Sequence, residues 1–231
     1  WQATKALGHG DFHILVFAPS SVQEMVDMVI AAFNTADKYR VPAMILADGL
    51  LGQMMEPVTF PEIAAVEYDK SSWAADGHKN KREHHIINSL YLQATELEAK
   101  VKERFERYET IKANETDAEL YLTEDCDILL CAYGATARVV KSAVNAAREQ
   151  GIKAGMFRPK TLWPFPVKEI NEAAKTASKL LCVEMSMGQM VDDVKLAINC
   201  SKPVEFYGRT GGVIPTPVEI LEEIKKLGGV Q

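Results

Sequence analysis

The chain has 231 residues, of which 47% are hydrophobic and 25% charged, the usual balance of a globular protein. Its formal net charge of -6 argues against a nucleic-acid partner, because surfaces that bind nucleic acid are normally basic. No stretch approaches about 18 consecutive apolar residues, so the sequence predicts neither a membrane span nor a membrane partner.

The four cysteines indicate a reducing compartment. Cys126, Cys131, Cys182 and Cys200 form no C-x-x-C pair, and three of them lie in or beside apolar runs. We therefore predict buried free thiols, a cytoplasmic location and no metal held by this chain alone. No signal peptide is visible, and the chain starts at Trp1 in a segment typical of a domain interior, which we interpret as N-terminal truncation of a longer protein.

The first predicted elements are a strand, a helix and a second strand. The apolar runs are "FHILVFA" and "VPAMILA", and Ser21 with Glu24 three residues later fits a capping box at the start of the helix between them. Two apolar strands joined by a helix indicate a parallel crossover unit with strands buried on both faces.

The stretch "DGLLGQMMEP", residues 48–57, is unusually apolar for a loop. Because it follows a predicted strand, we interpret it as an interface in which Met54 and Met55 pack against a neighbouring domain or subunit. Residues 58–90 show no sustained period and predict a long connector, anchored by Trp73. A solvated helix is expected from about residue 95 to residue 112.

From residue 126 onwards, strands and helices alternate four times. The predicted strands are "CDILLCA", "IKAGMF", "KLLCVEM" and "PVEFYG", and each is followed by a helical pattern. Four such units within about 105 residues indicate a parallel, doubly wound α/β domain with helices on both faces of its sheet.

Two stretches contain candidate site residues. One is a glycine-rich loop after a predicted strand, and the other is a histidine cluster before one. "GRTGG", residues 208–212, could approach an anion through its glycines and Arg209, although a structural turn or a domain contact by Arg209 is the favoured interpretation. His9, Asp11 and His13 form a cluster with general acid–base potential, or they are surface residues before a strand. No motif for a hydrolase or a metal site is present, so we identify no catalytic residue.

Several stretches together resemble the alpha-type subunit of the 2-oxoacid:ferredoxin oxidoreductases, and most closely the 2-oxoisovalerate (branched-chain) type. The stretches that carry the resemblance are "QATKALGHGDFHILVFAPSSVQEM", "ADKYRVPAMILADGLLGQMMEPV", "INSLYL", "CAYGATARVVKSAV", "FRPKTLWPFP" and "FYGRTGGVIPTP".

The resemblance implies an enzyme that converts a 2-oxoacid, coenzyme A and oxidised ferredoxin to acyl-CoA, carbon dioxide and reduced ferredoxin. Thiamine diphosphate attacks the keto carbon, and a 4Fe–4S cluster carries the electrons away. The alpha-type subunit supplies the pyrimidine-side half of the thiamine site, while a second subunit holds the diphosphate through Mg²⁺. Other subunits of the complex are thus implied partners, and the acidity of this chain leads us to expect ferredoxin to dock on one of them.

The resemblance also implies a division of the chain. Residues 1–57 correspond to the C-terminal part of the pyrimidine-side domain, 58–125 to a connector with one amphipathic helix, and 126–231 to a domain resembling the transketolase C-terminal domain. The family's cofactor-activating glutamate and substrate-binding segments have no counterpart here, and we expect this chain alone to be inactive and to hold no cofactor. Two sets of residues carry over by position, namely His9, Gly10 and Asp11 near the thiamine edge, and Arg209, Thr210 and Gly211 as an anion loop or interface.

Three alternatives remain open at this point. The first is a 2-oxoglutarate:ferredoxin oxidoreductase subunit. The second is a non-catalytic module for nucleotide binding or electron transfer, which would need a working anion loop at "GRTGG" or "YGATAR". The third is a transketolase-like enzyme without ferredoxin-linked partners.

Overall fold

A computed structural model of the protein describes residues 4–5, 8–60 and 66–229. Trp1 and the residues Ala6 and Leu7, which belong to the first stretch of the family resemblance, lie outside the described residues. Among the helices that the structure describes, none is both long enough and apolar enough to cross a lipid bilayer.

The first unit contains the predicted strand–helix–strand crossover. Strand β1 (Leu15–Phe17), helix α1 (Val22–Tyr39) and strand β2 (Ala43–Ile45) follow one another, and β1 pairs with β2 in parallel. The Ser21 hydroxyl accepts a hydrogen bond from the backbone N–H of Glu24, as the capping box predicts. The reciprocal half of that prediction is wrong, because the Glu24 carboxylate instead accepts from the backbone N–H and hydroxyl of Ser20.

A long arm links the two units. After a short 3₁₀ turn at Leu51–Gln53, the described residues form no further helix or strand before helix α2 (Ala94–Asn114). Trp73 anchors this arm as predicted, because the guanidinium of Arg40 lies 4.7 Å from the centre of its ring. Near its C-terminal end, α2 buries Tyr108 and Ile111 in the core of the first unit, so this helix is less solvated than its charge pattern indicated.

The second unit is a five-stranded sheet with the strand order β3-β5-β4-β7-β8. Its elements are β3 (Ala118–Tyr121), β4 (Ile128–Cys131), α3 (Gly134–Glu149), β5 (Ala154–Pro159), α4 (Val167–Ala173), β7 (Lys179–Glu184), α5 (Met190–Ala197), β8 (Val204–Gly208) and α6 (Pro217–Gly228). The predicted parallel, doubly wound α/β fold is confirmed for β4, β5, β7 and β8. The prediction missed β3, which pairs antiparallel with β5 at the edge of the sheet.

Helices cover both faces of this second sheet. Helices α3 and α6 pack with one apolar cluster, and α4 and α5 pack with another on the opposite face. Strands β4 and β7 are neighbours, but the helix that follows β4 lies on one face and the helix that follows β7 on the other. The connections from β4 and from β7 therefore run towards opposite sides of the sheet, which leaves a crevice outside the carboxyl ends of these two parallel strands.

A short strand ties the two units together. Strand β6 (Thr161–Trp163) follows β5 of the second unit but pairs antiparallel with β1, which completes a three-stranded sheet of order β2-β1-β6. Trp163 stacks on His13, with the ring centres 4.7 Å apart, and belongs to the first unit's core. The aromatic, proline-rich stretch around β6 therefore has a packing role.

Candidate functional site

A cleft of about 540 Å³ lies where the first unit meets the carboxyl ends of β4, β7 and β8. One wall is the apolar loop after β2, and the other walls come from the turns that follow the three strands of the second unit. Its principal polar lining residues are Asp48, Tyr133, Glu184 and Arg209. This is the crevice at which ligands bind in open α/β sheets.

Asp48 connects the first unit to helix α3. Its Oδ2 accepts a hydrogen bond of 3.0 Å from the backbone N–H of Ala135, and its Oδ1 accepts one of 2.8 Å from Leu51 within its own loop. Gly134 makes this approach possible, since its φ is +60° and a side chain's Cβ there would lie 3.1 Å from Asp48 Oδ2. The carboxylate of Asp48 thus occupies the N-terminus of α3 and stabilises its partial positive charge.

Glu184 performs the same role for α5 from within the second unit. Its side chain is buried at the end of β7 and accepts hydrogen bonds from the backbone N–H groups of Met190 (3.1 Å) and Val191 (2.9 Å). Gln189 and the Ser186 hydroxyl also donate to this carboxylate. A buried carboxylate with this many donors is fully satisfied and fixes the wall of the cleft.

Arg209 is paired within the second unit. Its Nη1 donates a 2.8 Å hydrogen bond to Glu219, which completes a capping box with Thr216 at the start of α6. Thr210 and Gly211 are exposed in the turn that follows Arg209. Protein carboxylates therefore stand in the first turns of α3, α5 and α6, where a phosphate would otherwise be attracted, and their charge disfavours a phosphate ligand.

Tyr133 supplies a neutral hydroxyl to the cleft. Its burial, together with the negative charges of Glu184 and Asp48, raises the pKa of the phenol to about 12. The hydroxyl therefore stays protonated at neutral pH and can donate a hydrogen bond as well as accept one.

Further charged contacts hold the two units together outside the cleft. Buried Arg158 of β5 donates bidentate hydrogen bonds of 2.9 and 2.8 Å to Glu24, and a third bond of 2.8 Å to Glu119. Burial alone would raise the pKa of Glu24, but the hydrogen bonds from Arg158 and from Ser20 outweigh it and hold the pKa at about 2. The sequence analysis missed this pair, and its only signal was a charged residue directly after the predicted strand "IKAGMF".

Two further residues of the apolar loop 48–57, Met54 and Glu56, contact the second unit, and Met55 does not. Glu56 accepts a hydrogen bond from the first backbone N–H of α1 at Val22, and its other oxygen accepts from Arg138 of α3 at 2.7 Å. The sulfur of Met54 lies 3.3 Å from Arg138, in agreement with the predicted packing against a neighbouring domain. Met55 does not pack within this chain, because it is 98% exposed.

The predicted residues near the thiamine edge lie away from the cleft. His9, Gly10 and Asp11 are exposed and precede β1, whereas the cleft follows the carboxyl end of the parallel strand β2. His9, Gly10 and Asp11 therefore precede the amino end of β1, the cleft lies beyond the carboxyl end of the parallel strand β2, and Arg209 is not brought together with His9. The role assigned to His9, Gly10 and Asp11 remains a prediction.

The cleft does not fit a magnesium-bridged diphosphate. Its two carboxylates accept backbone hydrogen bonds at the N-termini of α3 and α5, where a diphosphate would have to bind, and its guanidinium is paired with a third carboxylate. Within residues 4–5, 8–60 and 66–229, no three His, Cys, Asp or Glu side chains are grouped so that they could share a metal ion. We therefore derive no chemical step through thiamine diphosphate from these residues.

Comparisons with known proteins assign both halves of the chain to one enzyme family. Residues 2–120 match the family described as pyruvate flavodoxin/ferredoxin oxidoreductase, thiamine diphosphate-binding. Residues 126–220 match the pyruvate:ferredoxin oxidoreductase core domain II. The two matches adjoin without overlapping, and the boundary between them lies just after β3.

Similar proteins include two enzyme subunits from Methanothermobacter marburgensis. Ketoisovalerate oxidoreductase subunit VorB of Methanothermobacter marburgensis is 44% identical over 99% of this chain, which spans 64% of that protein. The 2-oxoglutarate synthase subunit KorA of the same organism is 34% identical over 94% of this chain, again across 64% of the relative. The chain therefore spans somewhat less than two thirds of the length of these relatives.

A solved structure shares the fold. The 2-oxoglutarate:ferredoxin oxidoreductase from Magnetococcus marinus, with 2-oxoglutarate, coenzyme A and succinyl-CoA bound, superposes with a TM-score of 0.77 at 22% identity. The superposition covers 97% of this chain and 44% of that one. Because one family match extends over more than half of the chain and the identity to VorB is 44%, this chain belongs to the thiamine diphosphate-binding pyruvate flavodoxin/ferredoxin oxidoreductase family.

Proposed function

We propose that this chain is part of the alpha-type subunit of a thiamine diphosphate-dependent 2-oxoacid:ferredoxin oxidoreductase that acts on 2-oxoisovalerate and related branched-chain 2-oxoacids. The reaction oxidises the 2-oxoacid with loss of carbon dioxide, joins the acyl group to the sulfur of coenzyme A, and passes two electrons to ferredoxin. The observation that carries this proposal is the 44% identity to a ketoisovalerate oxidoreductase subunit over 99% of the chain.

The next candidate is a 2-oxoglutarate:ferredoxin oxidoreductase subunit. It is supported by 34% identity to a 2-oxoglutarate synthase subunit, ten percentage points below the ketoisovalerate relative from the same organism. A nucleotide-binding accessory module is disfavoured, because carboxylates occupy the first turns of the helices at "GRTGG" and "YGATAR". The higher sequence identity to the ketoisovalerate relative, over nearly the whole chain, therefore favours the branched-chain substrate.

We also propose the division of the chain that the sequence suggests. Residues 1–57 would complete a pyrimidine-side thiamine domain, residues 58–125 would form the connector, and residues 126–231 would form the second α/β domain. The match of residues 2–120 to the thiamine diphosphate-binding family and of 126–220 to a separate core domain supports a boundary near residue 125. Strand β3, at Ala118–Tyr121, is built into the second sheet although it precedes that boundary.

The cofactors and partners of the assembly follow from the same proposal. Thiamine diphosphate would supply the nucleophile for the keto carbon, with its Mg²⁺ and the 4Fe–4S cluster held by other subunits. This chain's role would be to support the pyrimidine side and to orient subunits, since the carboxylates of Asp48, Glu24 and Glu184 take part in helix caps and unit contacts. Its four free cysteines, three of them buried, are consistent with an assembly in the cytoplasm.

Substrate oxidation by the assembled enzyme tests the proposal. The full-length subunit is purified with its partner subunits and assayed with coenzyme A and a viologen acceptor against 2-oxoisovalerate, 2-oxoglutarate and pyruvate. We expect kcat/KM for 2-oxoisovalerate to exceed that for 2-oxoglutarate by at least about tenfold, a discrimination that apolar pockets readily provide. A preference for 2-oxoglutarate would transfer the proposal to the second candidate, and reduction with no 2-oxoacid would refute both.

The position of ferredoxin is tested separately. Because this chain carries a net charge of -6, an acidic ferredoxin would be repelled rather than steered towards it. We expect zero-length crosslinking in the intact complex to join ferredoxin mainly to another subunit. Crosslinks mainly to this chain would contradict that expectation without affecting the proposed reaction.

A further inference from the structure

The cleft between the two units is not needed by the proposed reaction as derived above, yet it has the features of a ligand site. We propose that it binds a small α-amino acid with an apolar side chain, as the zwitterion. The inference is independent of the proposed function, because it uses only the lining of the cleft and its position in the fold.

The first step is the position of the cleft. It lies outside the carboxyl ends of β4 and β7, whose connections run towards opposite sides of the sheet, and such crevices are where open α/β sheets bind ligands. The first unit closes one side through the loop that carries Asp48. A volume of about 540 Å³ is in the range of sites for small molecules.

The second step is the apolar part of the lining. Val213 and Ile214 are 45% and 40% exposed at the lip of the cleft, although they follow a glycine-rich turn in which polar residues would be expected. Leu50, which is half-buried in the loop after β2, lines the same space. An apolar side chain of a ligand would bury these groups, which favours an aliphatic ligand over a fully polar one.

The third step is the pair of opposite charges. Each carboxylate oxygen of Asp48 accepts one backbone hydrogen bond and retains a second lone pair, and the residue Tyr133 lies in the same lining. These groups suit an ammonium, and the buried negative charge of Glu184 adds to the potential there. Arg209 presents five N–H donors, and its bond to Glu219 through Nη1 leaves donors for a carboxylate.

The fourth step excludes the usual ligand of this crevice. Nucleotides bind in doubly wound folds through phosphates at helix N-termini, and here Asp48 and Glu184 already occupy two of those positions. A ligand with a cationic group beside the carboxylates and one anionic group beside Arg209 satisfies the lining, whereas a polyanion does not. An apolar α-amino acid has this pattern of charge.

Calorimetric titration of the purified assembly with L-valine tests the proposal. Two matched analogues each lack one charge, namely 2-methylpropylamine without the carboxylate and 3-methylbutanoate without the ammonium. We expect saturable binding of L-valine and at least about tenfold weaker binding of each analogue, because each loses a charge-assisted hydrogen-bonded contact. Either analogue binding as tightly as L-valine, or no saturable binding of L-valine, would overturn the proposal.

Two valine variants locate the site. Val213→Asp places a charge at the lip of the cleft, whereas Val218→Asp makes the same change at an exposed position on α6 that does not line the cleft. We expect the first to weaken L-valine binding at least about tenfold and the second to change it less than about twofold. Equal melting temperatures of the two variants exclude misfolding, and unchanged affinity in Val213→Asp would refute the assignment.

Discussion

The two units of the molecule bury their sheets to different degrees. All four residues of β4 are buried in the second unit, whereas all three residues of β2 in the first unit are only half-buried. Helix α1 likewise leaves Phe33 72% exposed, although this side chain lies on the apolar stripe beside β2. The second unit buries its inner strands β4, β5 and β7 between its own helices and leaves the edge strands β3 and β8 partly exposed, whereas the core of the first unit is completed by residues from outside its crossover.

Part of what the first unit lacks is supplied by helix α2 and by the second unit. Strand β6 extends its sheet, Tyr108 and Ile111 of α2 fill its core, and Arg158 pairs with Glu24 at the start of α1. The first unit is thus stabilised across an interface rather than by its own packing. The predictions below test this asymmetry, from the largest expected effect to the smallest.

Removing the buried guanidinium should have the largest effect. Arg158→Met keeps the aliphatic bulk but leaves Glu24 and Glu119 without their partner, and we expect a loss of about 3–5 kcal/mol in the free energy of urea unfolding. The double variant Arg158→Met/Glu24→Gln removes one unpaired charge and should recover part of the loss. A double variant as unstable as the single one would show that the pair does not hold the units together.

The same contact predicts a dependence on acid. Glu24 has a pKa of about 2 in the folded protein, against an ordinary value of 4.5. Its contribution to the free energy of unfolding is therefore complete above pH 4.5 and is lost as the pH falls towards 2. The contribution is on the order of 3 kcal/mol. Unfolding free energies measured across this window should show a smaller fall in Glu24→Gln, and identical profiles would contradict the prediction.

Core truncation should distinguish the two units directly. Leu129 of β4 is fully buried, so Leu129→Ala should cost about 2–5 kcal/mol through the lost transfer energy and the cavity left behind. In the first unit, Phe33→Ala should change stability by less than about 0.5 kcal/mol, because its side chain is mostly exposed. Equal losses, measured by urea unfolding of the isolated chain, would remove the contrast between the units.

Helix caps offer a smaller and more local test. Asp48→Ala removes a cap of α3 that comes from the first unit, and Ser21→Ala removes a cap of α1 within it. Each should cost about 1 kcal/mol. Only Asp48→Ala should accelerate hydrogen exchange at Ala135, so faster exchange there in Ser21→Ala would argue against a specific cap from Asp48.

The smallest effect is expected for an exposed ion pair. Lys102 and Glu98 on α2 lie one helical turn apart and are both more than half exposed, so Lys102→Ala should cost no more than about 0.5 kcal/mol. This variant is the surface control for Arg158→Met. A loss comparable to that of Arg158→Met would mean that burial does not determine the strength of these pairs.

The sequence alone predicts much of the second unit, for a physical reason. Strands buried on both faces are continuous apolar runs, such as the one that contains Leu129, and glycines such as Gly151 mark the ends of their helices. Strand β3 escaped prediction because "AELY" is half-polar and lies at the sheet edge. Strand β6 escaped because three residues among prolines carry no period, and its partner β1 is more than a hundred residues away.

The site was less predictable than the fold. The position of "DGLLGQMMEP" after a strand correctly predicted an interface, and Asp48, Met54 and Glu56 make the contacts. The sequence could not indicate that carboxylates occupy the helix N-termini, because a cap supplied across 87 residues leaves no local pattern. For the same reason the sequence could not indicate that Arg158 pairs with Glu24, which is 134 residues away.

Strand β6 also determines how the chain can be divided. The covalent link from the first unit passes through the exposed arm around Gly77, but the strand that completes the first sheet belongs to the sequence after that arm. Cutting the arm would leave the β1–β6 pairing, the aromatic packing of Tyr108 and the Arg158–Glu24 pair intact. The protein is therefore suited to production as two separately translated polypeptides that assemble by complementation, with the break in the arm rather than at the surface between the units.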